Sequence, residues 1–187
     1  MMKILLASNS PRRKELLLSL NIEFESVKVD CDEIYPKDLA IEKVAEYLSE
    51  LKSNAYKKLS ENEILITADT IVAIGNEILG KPKDENEAKE MLRKLSGNTH
   101  QVLTGITLRS TKKCVSVTDI AEVETEILTE EEIGDYITRC KPFDKAGSYG
   151  VQEWFGMAKI KKINGSFYTI MGLPTHLLYV LLKDFNK

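Results

Sequence analysis

Short apolar runs, separated by longer stretches of helical spacing, set the layout of this chain. Ile4–Leu5–Leu6–Ala7 is short, continuous and apolar, the pattern of a strand buried on both faces. Ser10–Pro11 then signals a helix start: a serine hydroxyl can accept from free N–H groups, and proline at the first helical position gives up a donor that has no partner there. Leu16, Leu17 and Leu20 fall on one face of that helix. Phe24–Val29 alternates as a strand, and residues 39–60 show helical spacing through Ile41, Val44, Ala45, Leu48, Leu51, Ala55 and Leu59. Ile64 to Gly75 predicts a second apolar strand, Gly75–Asn76 a turn, and residues 84–95 an amphipathic helix capped by Asp84 and ended by Gly97. Thr99–Leu108 and Cys114–Val117 predict paired strands, the second continuing through Val123 and Ile127. Thr129–Glu130–Glu131–Glu132 opens a helix with a capping box that reaches about Thr138. Ala158–Ile163 and Ser166–Ile170 flank Asn164–Gly165 and predict a hairpin, and Gly172–Leu173–Pro174 opens a last apolar helix from His176 to Phe185. A strand–helix–strand start, long helices and an antiparallel middle point to an α/β fold with a mixed sheet.

Composition narrows what such a fold can do. With 187 residues the chain can bury a sizeable core, and without repeat, low-complexity tract or linker, residues 1–187 read as one domain. Charged residues at 29% and hydrophobic ones at 43% exclude a disordered chain. A net charge of -3 gives no general attraction to nucleic acid or to an acidic membrane, so any polyanion site is local. Scattered aromatics, and no basic run beyond Lys159–Lys162, argue against nucleic-acid binding. No apolar run approaches the ~20 residues of a membrane span, and Met1–Met2–Lys3 leads straight into a strand without an export-length apolar stretch. Cys31, Cys114 and Cys140 are far apart and lack metal-ligand spacing, as expected of reduced thiols in a cytoplasmic protein.

Candidate chemistry sits in a few places. Arg12 and Arg13 occupy the first helical turn, beside unpaired N–H groups and the positive end of the helix dipole; this is either a phosphate site or a capped surface helix with two solvated arginines. Asp30, Asp32 and Glu33 crowd into a turn closed by Pro36, as a divalent cation site or as solvated loop charge. Lys52 borders the apolar stripe of its helix, a place from which lysine can also simply snorkel to water. Asp69 lies inside the apolar run Ile64–Gly75, where burying an unpaired carboxylate is costly. It needs a cation, a metal or a mechanistic use, unless the strand kinks so that Asp69 and Thr70 reach water. Leu79–Gly80–Lys81–Pro82 delivers one lysine from a loop, and Asp144 to Gln152 forms a glycine-punctuated loop that lets backbone approach a ligand. His100 is a general base or a polar residue at a strand start; no acid or nucleophile stands near it in sequence.

Taken in order, Ser8-x-Ser10–Pro11–Arg12–Arg13, Ala68–Asp69–Thr70, Gly80–Lys81–Pro82, Leu95–Ser96–Gly97-x-x-His100, Thr104–Gly105, Asp144–Lys145–Ala146–Gly147-x-Tyr149–Gly150-x-Gln152 and Gly172–Leu173–Pro174 resemble the Maf (septum formation) family from residue 4 to about 180. The resemblance implies an elongated mixed β-sheet flanked by helices, with two lobes around a central cleft, in proteins that are often dimeric. It implies hydrolysis of a nucleoside triphosphate to the monophosphate and pyrophosphate with a divalent metal, Mg²⁺ or Mn²⁺. Carried over, Asp69 matches the proton acceptor, Ser8, Arg13, Lys52 and Lys81 match phosphate-binding positions, and Glu33 joins Asp69 near the metal. Arg12, Thr70 and Gln152 match the specificity positions of the subgroup that acts on dTTP and UTP; the subgroup linked to 7-methyl-GTP carries an aromatic residue, a glutamine and an acid there. Two alternatives stay open: a non-catalytic nucleotide sensor that restrains division, and a pyrophosphatase for modified purine nucleotides such as 7-methyl-GTP or ITP.

Overall fold

A computed structural model of the chain describes residues 2–185. Its sheet has seven strands: β1 (Lys3–Leu6), β2 (Glu25–Ser26), β3 (Glu63–Ile74), β4 (Glu77–Leu79), β5 (Thr99–Arg109), β6 (Cys114–Thr125) and β7 (Ile160–Asn164). The order is β2-β1-β3-β5-β6-β7, with β4 pairing off the path on β3. β1 runs parallel to β2 and β3, with Leu5 opposite Leu65 and Leu6 opposite Ile66, whereas β4 and β7 pair antiparallel. The sheet is therefore mixed, as the apolar runs predict. No helix of the described residues is long and apolar enough to cross a membrane.

The chain divides into two compact units, each assembled from separate segments. One comprises the N-terminal segment through Asp69, Thr104–Asp119 and the C-terminal segment from Gly172; the other comprises Thr70–Leu103 and Ile120–Met171. In the first unit, helices α1 (Pro11–Ser19), α2 (Ile41–Ala55) and α7 (Thr175–Phe185) accompany the parallel strands. Its core gathers Leu5, Leu6, Leu17, Val44, Ala45, Ile64, Leu65 and Ile66, all essentially inaccessible. Helix α2 lies tight on the sheet because Gly105 offers no side chain: a Cβ there would strike the backbone of Ala45. Hydroxyls pin the same contact, Ser49 Oγ lying 2.7 Å from Thr107 Oγ1 and Thr67 Oγ1 donating to the Ser49 carbonyl at 2.7 Å. Arg109 closes the C-terminal end of α2, donating to the Ser53 carbonyl, to Ser53 Oγ at 2.9 Å and to the Tyr56 carbonyl at 2.7 Å. Orphan carbonyls at a helix end are met by a cation, which is where the helix dipole favours one.

In the second unit, α3 (Glu85–Leu95), α4 (Glu130–Cys140), α5 (Trp154–Lys159) and α6 (Phe167–Ile170) surround a core of Leu92, Leu95, Val102, Val123, Tyr136, Tyr149, Val151 and Phe155. Both predicted caps form. Asp84 accepts from the Glu87 N–H, and Thr129 and Glu132 make the reciprocal capping box.

Four local expectations are corrected. Ser10 stands at the N-cap of α1 without a side-chain cap bond, and its own N–H instead donates to Ser8 Oγ at 3.2 Å. Phe24–Val29 contributes only the two residues of β2. β6 ends at Thr125 instead of continuing through Ile127. No hairpin forms at Asn164–Gly165: β7 pairs with β6, Ile163 opposite Val123, and Ser166 accepts from the Tyr168 N–H to start α6. Gly165 takes φ of 132° with its open side against Ala121, so the Asn–Gly pair stops a strand rather than folding one back. Helix α5 was hidden in sequence by its brevity.

Candidate active site

In the first unit, the uninterrupted apolar strand β3 carries Asp69 into the interior, where it is 8% exposed. The strand does not kink to solvate it. The cost of burial is offset by an ion pair: Lys52 Nζ donates to Asp69 Oδ1 at 2.5 Å and lies 3.1 Å from Glu33 Oε1. Lys52 reaches the strand because it sits in the last turn of α2, beside the stripe that Gly105 and the hydroxyl contacts press onto the sheet.

Arg13, on the first turn of α1, donates from Nε to the Gly172 carbonyl at 2.7 Å, and from Nη1 to the Ala68 carbonyl at 2.9 Å and Ser8 Oγ at 3.4 Å. It thereby ties the helix start to the residue next to Asp69. Burial lowers the Arg13 pKa from its ordinary value, and the nearby Asp69 charge opposes that shift. The carbonyls orient the Arg13 guanidinium, which also feels the charges of Asp69 and Glu33. Ser8, Arg13, Glu33, Lys52 and Asp69 are thus brought together, and Arg12 stands beside them on the same helical turn, half-buried.

The donor set fits a hard divalent cation. Two carboxylates converge on one ammonium, so cationic charge is already favoured between them. Among the described residues no group of three or more His, Cys, Asp or Glu forms an all-protein cage. Mg²⁺ is commonly held by one or two carboxylates and completed by water and phosphate oxygens, and Asp69 and Glu33 are two such carboxylates.

The second unit holds the other sequence candidates. Thr70 follows Asp69 on β3 and is half-buried, Lys81 is exposed in the loop after β4, and Gln152 is exposed. Gln152 sits at the corner of a closed turn, Gly150–Val151–Gln152–Glu153, in which the Glu153 N–H donates to the Gly150 carbonyl at 3.1 Å. His100 is a core residue: its Nε2 lies 2.7 Å from Tyr149 Oη, and burial pushes its pKa down to about 4. It is neutral at pH 7, and its ring partners a tyrosine rather than an acid.

Sequence reasoning missed a second polar cluster. Lys145 Nζ lies 3.0 Å from Glu153 Oε1 and 2.9 Å from Asp144 Oδ1, with its side chain only 9% exposed. Tyr136 donates its hydroxyl to Glu153 Oε2 at 2.5 Å and accepts from the Gly150 N–H at 3.0 Å. Burial, then the Glu153 contact, pushes the Tyr136 pKa up, so the hydroxyl keeps its proton. Lys145 was flagged by its loop; Tyr136 gave no signal, since an aromatic residue on the buried face of a helix reads as packing.

The sequence model of the Maf-like protein family matches residues 3–185. The chain belongs to the Maf family. Among Maf relatives, the dTTP/UTP pyrophosphatase of Bacteroides thetaiotaomicron is 50% identical over 183 residues, covering 97% of this chain and 95% of that protein. The dTTP/UTP pyrophosphatase of Porphyromonas gingivalis is 49% identical over 189 residues, covering 99% and 95%, and that of Flavobacterium psychrophilum is 45% identical over 183 residues, covering 97% and 94%. Of solved structures, the Staphylococcus aureus Ham1 protein matches with a TM-score of 0.47 and 16% identity over 66% of this chain and 71% of that one. The Maf chain's α/β architecture rests on its own strand pairing.

Proposed function

We propose that this Maf-family chain is a cytoplasmic nucleoside triphosphate pyrophosphatase, hydrolysing dTTP and UTP to the monophosphate and pyrophosphate. The observation that carries the reading is the buried Lys52–Asp69 pair with Arg13 anchored beside it. The dTTP/UTP pyrophosphatases that this chain matches at 45–50% identity over nearly all their length support the substrate class.

The chemistry follows from charge. A triphosphate tail brings several negative charges, to be met by guanidinium and ammonium groups and by N–H groups at the start of α1. As the tail enters, its oxygens compete with Asp69 for the Lys52 ammonium. The loosened carboxylate is acceptor-only and takes a proton from a water that attacks the α-phosphorus. A bond forms from the water oxygen to phosphorus, the bond to the bridging oxygen breaks, and pyrophosphate leaves with that electron pair on the cationic side chains. A divalent cation, Mg²⁺ or Mn²⁺, held by Asp69 and Glu33 would neutralise phosphate charge and make a bound water more acidic. The family resemblance adds Ser8 and Lys81 as phosphate ligands, and Arg12, Thr70 and Gln152 as readers of the base. An amide at position 152 can both donate to and accept from a pyrimidine edge.

The test is pyrophosphate release by the full chain with Mg²⁺ across dTTP, UTP, CTP, GTP, ITP and 7-methyl-GTP. Release from dTTP and UTP well ahead of the purines is the expected result. A preference for ITP or 7-methyl-GTP overturns the substrate assignment, and nucleotide binding without release from any substrate overturns catalysis in favour of a sensor.

A further inference from the structure

The turn that carries Gln152 is held more firmly than an exposed turn needs to be. Its two ends meet the same hydroxyl: Tyr136 Oη accepts from the Gly150 N–H at 3.0 Å and donates to Glu153 Oε2 at 2.5 Å. The other Glu153 oxygen is engaged by Lys145 at 3.0 Å, so the carboxylate that closes the turn cannot swing away without leaving that buried ammonium to the more exposed Asp144 alone. Shape adds to the clamp. A Cβ on Gly150 would lie 2.8 Å from Glu153 Cδ, and one on Gly156, in the first turns of α5, would run into the Val151 carbonyl. Val151 itself is 4% exposed, while the next residue, Gln152, is turned out to solvent. Of the turn's two central positions, one is sunk in the core and the other alone is presented.

We propose that Tyr136, acting through Glu153 and Lys145, is a positioning residue that sets the base selectivity exerted by Gln152. Tyr136 is fully buried; it bonds the Gly150 main chain on one side of Gln152 and the Glu153 carboxylate on the other. A side chain that reads a base edge discriminates by hydrogen-bond geometry, and that discrimination is lost when its backbone is free to shift by about an ångström. Pre-organisation of this kind lowers the ordering cost of binding and leaves the chemical step alone. The inference rests on the reading of Gln152 given above.

The experiment compares UTP with CTP and GTP in the full chain carrying Tyr136→Phe, Gln152→Ala and both together. Tyr136→Phe is expected to cut the UTP preference about tenfold, through KM, with kcat for UTP within about threefold of the parent. Gln152→Ala is expected to cut the preference at least as far, and adding Tyr136→Phe to it to change the preference by less than about twofold. A purely structural tyrosine would lower activity on all nucleotides alike and add to the Gln152 change. Should Tyr136→Phe fail to fold, Glu153→Gln and Glu153→Ala carry the test. The amide oxygen still accepts from Tyr136 and is expected to keep most of the preference, whereas the alanine loses it. Selectivity lost in Gln152→Ala but intact in Tyr136→Phe or Glu153→Ala overturns the positioning role and leaves Gln152 as the reader. Selectivity intact in Gln152→Ala overturns the reading of Gln152 itself, and the positioning role with it.

Discussion

Each compact unit contains a lysine held between two carboxylates, one more buried and one more exposed. In the first, Lys52 joins Asp69 and Glu33, whose side chains are 11% and 49% exposed; in the second, Lys145 joins Glu153 and Asp144, at 22% and 57%. The local chemistry is nearly the same, and the surroundings are not. Both oxygens of Glu153 are taken, one by Lys145 and one by the Tyr136 hydroxyl, whose other bond locks a turn. That carboxylate is spent on architecture. Asp69 takes its hydrogen bond from Lys52 through Oδ1 and feels the charge of Arg13, which itself bonds the Ala68 and Gly172 carbonyls. On the reading proposed above, an incoming polyanion competes for those cations and loosens the acid. A buried ion pair by itself therefore says little; what else each oxygen meets distinguishes the two carboxylates.

The contrast is broken most directly at Asp69. Asp69→Asn keeps the shape of the side chain and removes the proton acceptor, and is expected to reduce pyrophosphate release from UTP about a thousandfold while calorimetry still detects nucleotide binding. Undiminished turnover would place the base elsewhere. Acid stability probes the sealed side through His100. Its folded pKa of about 4 lies below the unfolded value near 6.5, so the unfolded chain binds its proton first as pH falls. Stability is expected to drop by about 3 kcal/mol between pH 6.5 and 4 from this group, and His100→Gln to flatten that part of the urea-midpoint profile.

Lys52→Met sharpens the comparison from the other direction. It leaves Asp69 and Glu33 facing each other without their cation and is expected to cost about 2 kcal/mol, less than a fully buried pair because Glu33 is half exposed. Mg²⁺ at millimolar concentration is expected to raise the melting temperature of this variant more than that of the parent. Equal responses would argue that the two acids do not share a cation site. The smallest effect belongs to the Arg93–Glu130 pair, bidentate at 2.6 and 2.8 Å but on the open surface. Arg93→Ala should leave the melting temperature unchanged within error, since solvent screens such pairs.

Much of this was legible before the structure. Apolar spacing predicted β1, α1, β3, α3 and α7 to within a residue or two, because burial on one face repeats with the period of the element. It also placed α2 but ran it to residue 60, whereas the helix ends at Ala55 and Tyr56 turns extended. The Asp84 and Thr129 caps were readable because a cap bonds only a few residues ahead. Asn164–Gly165 misled for the same reason in reverse: the dipeptide reports a local turn tendency, and the pairing of β7 with β6 decided what the chain did there. Asp69 stood out as a charge inside an apolar strand, but its partner did not.

What the sequence by itself determined is the set of elements, their caps and the presence of a carboxylate where a carboxylate is expensive. Only the tertiary structure decided that Lys52, 17 residues earlier, answers that charge, that Arg13 is anchored to the carbonyl beside it, and that Tyr136 clamps the turn of Gln152. Periodicity and capping are settled within a few residues along the chain. The choice of partner for a buried polar group is settled by how closely a helix can lie on a sheet, and here that depends on a missing side chain at Gly105 and a pair of hydroxyls.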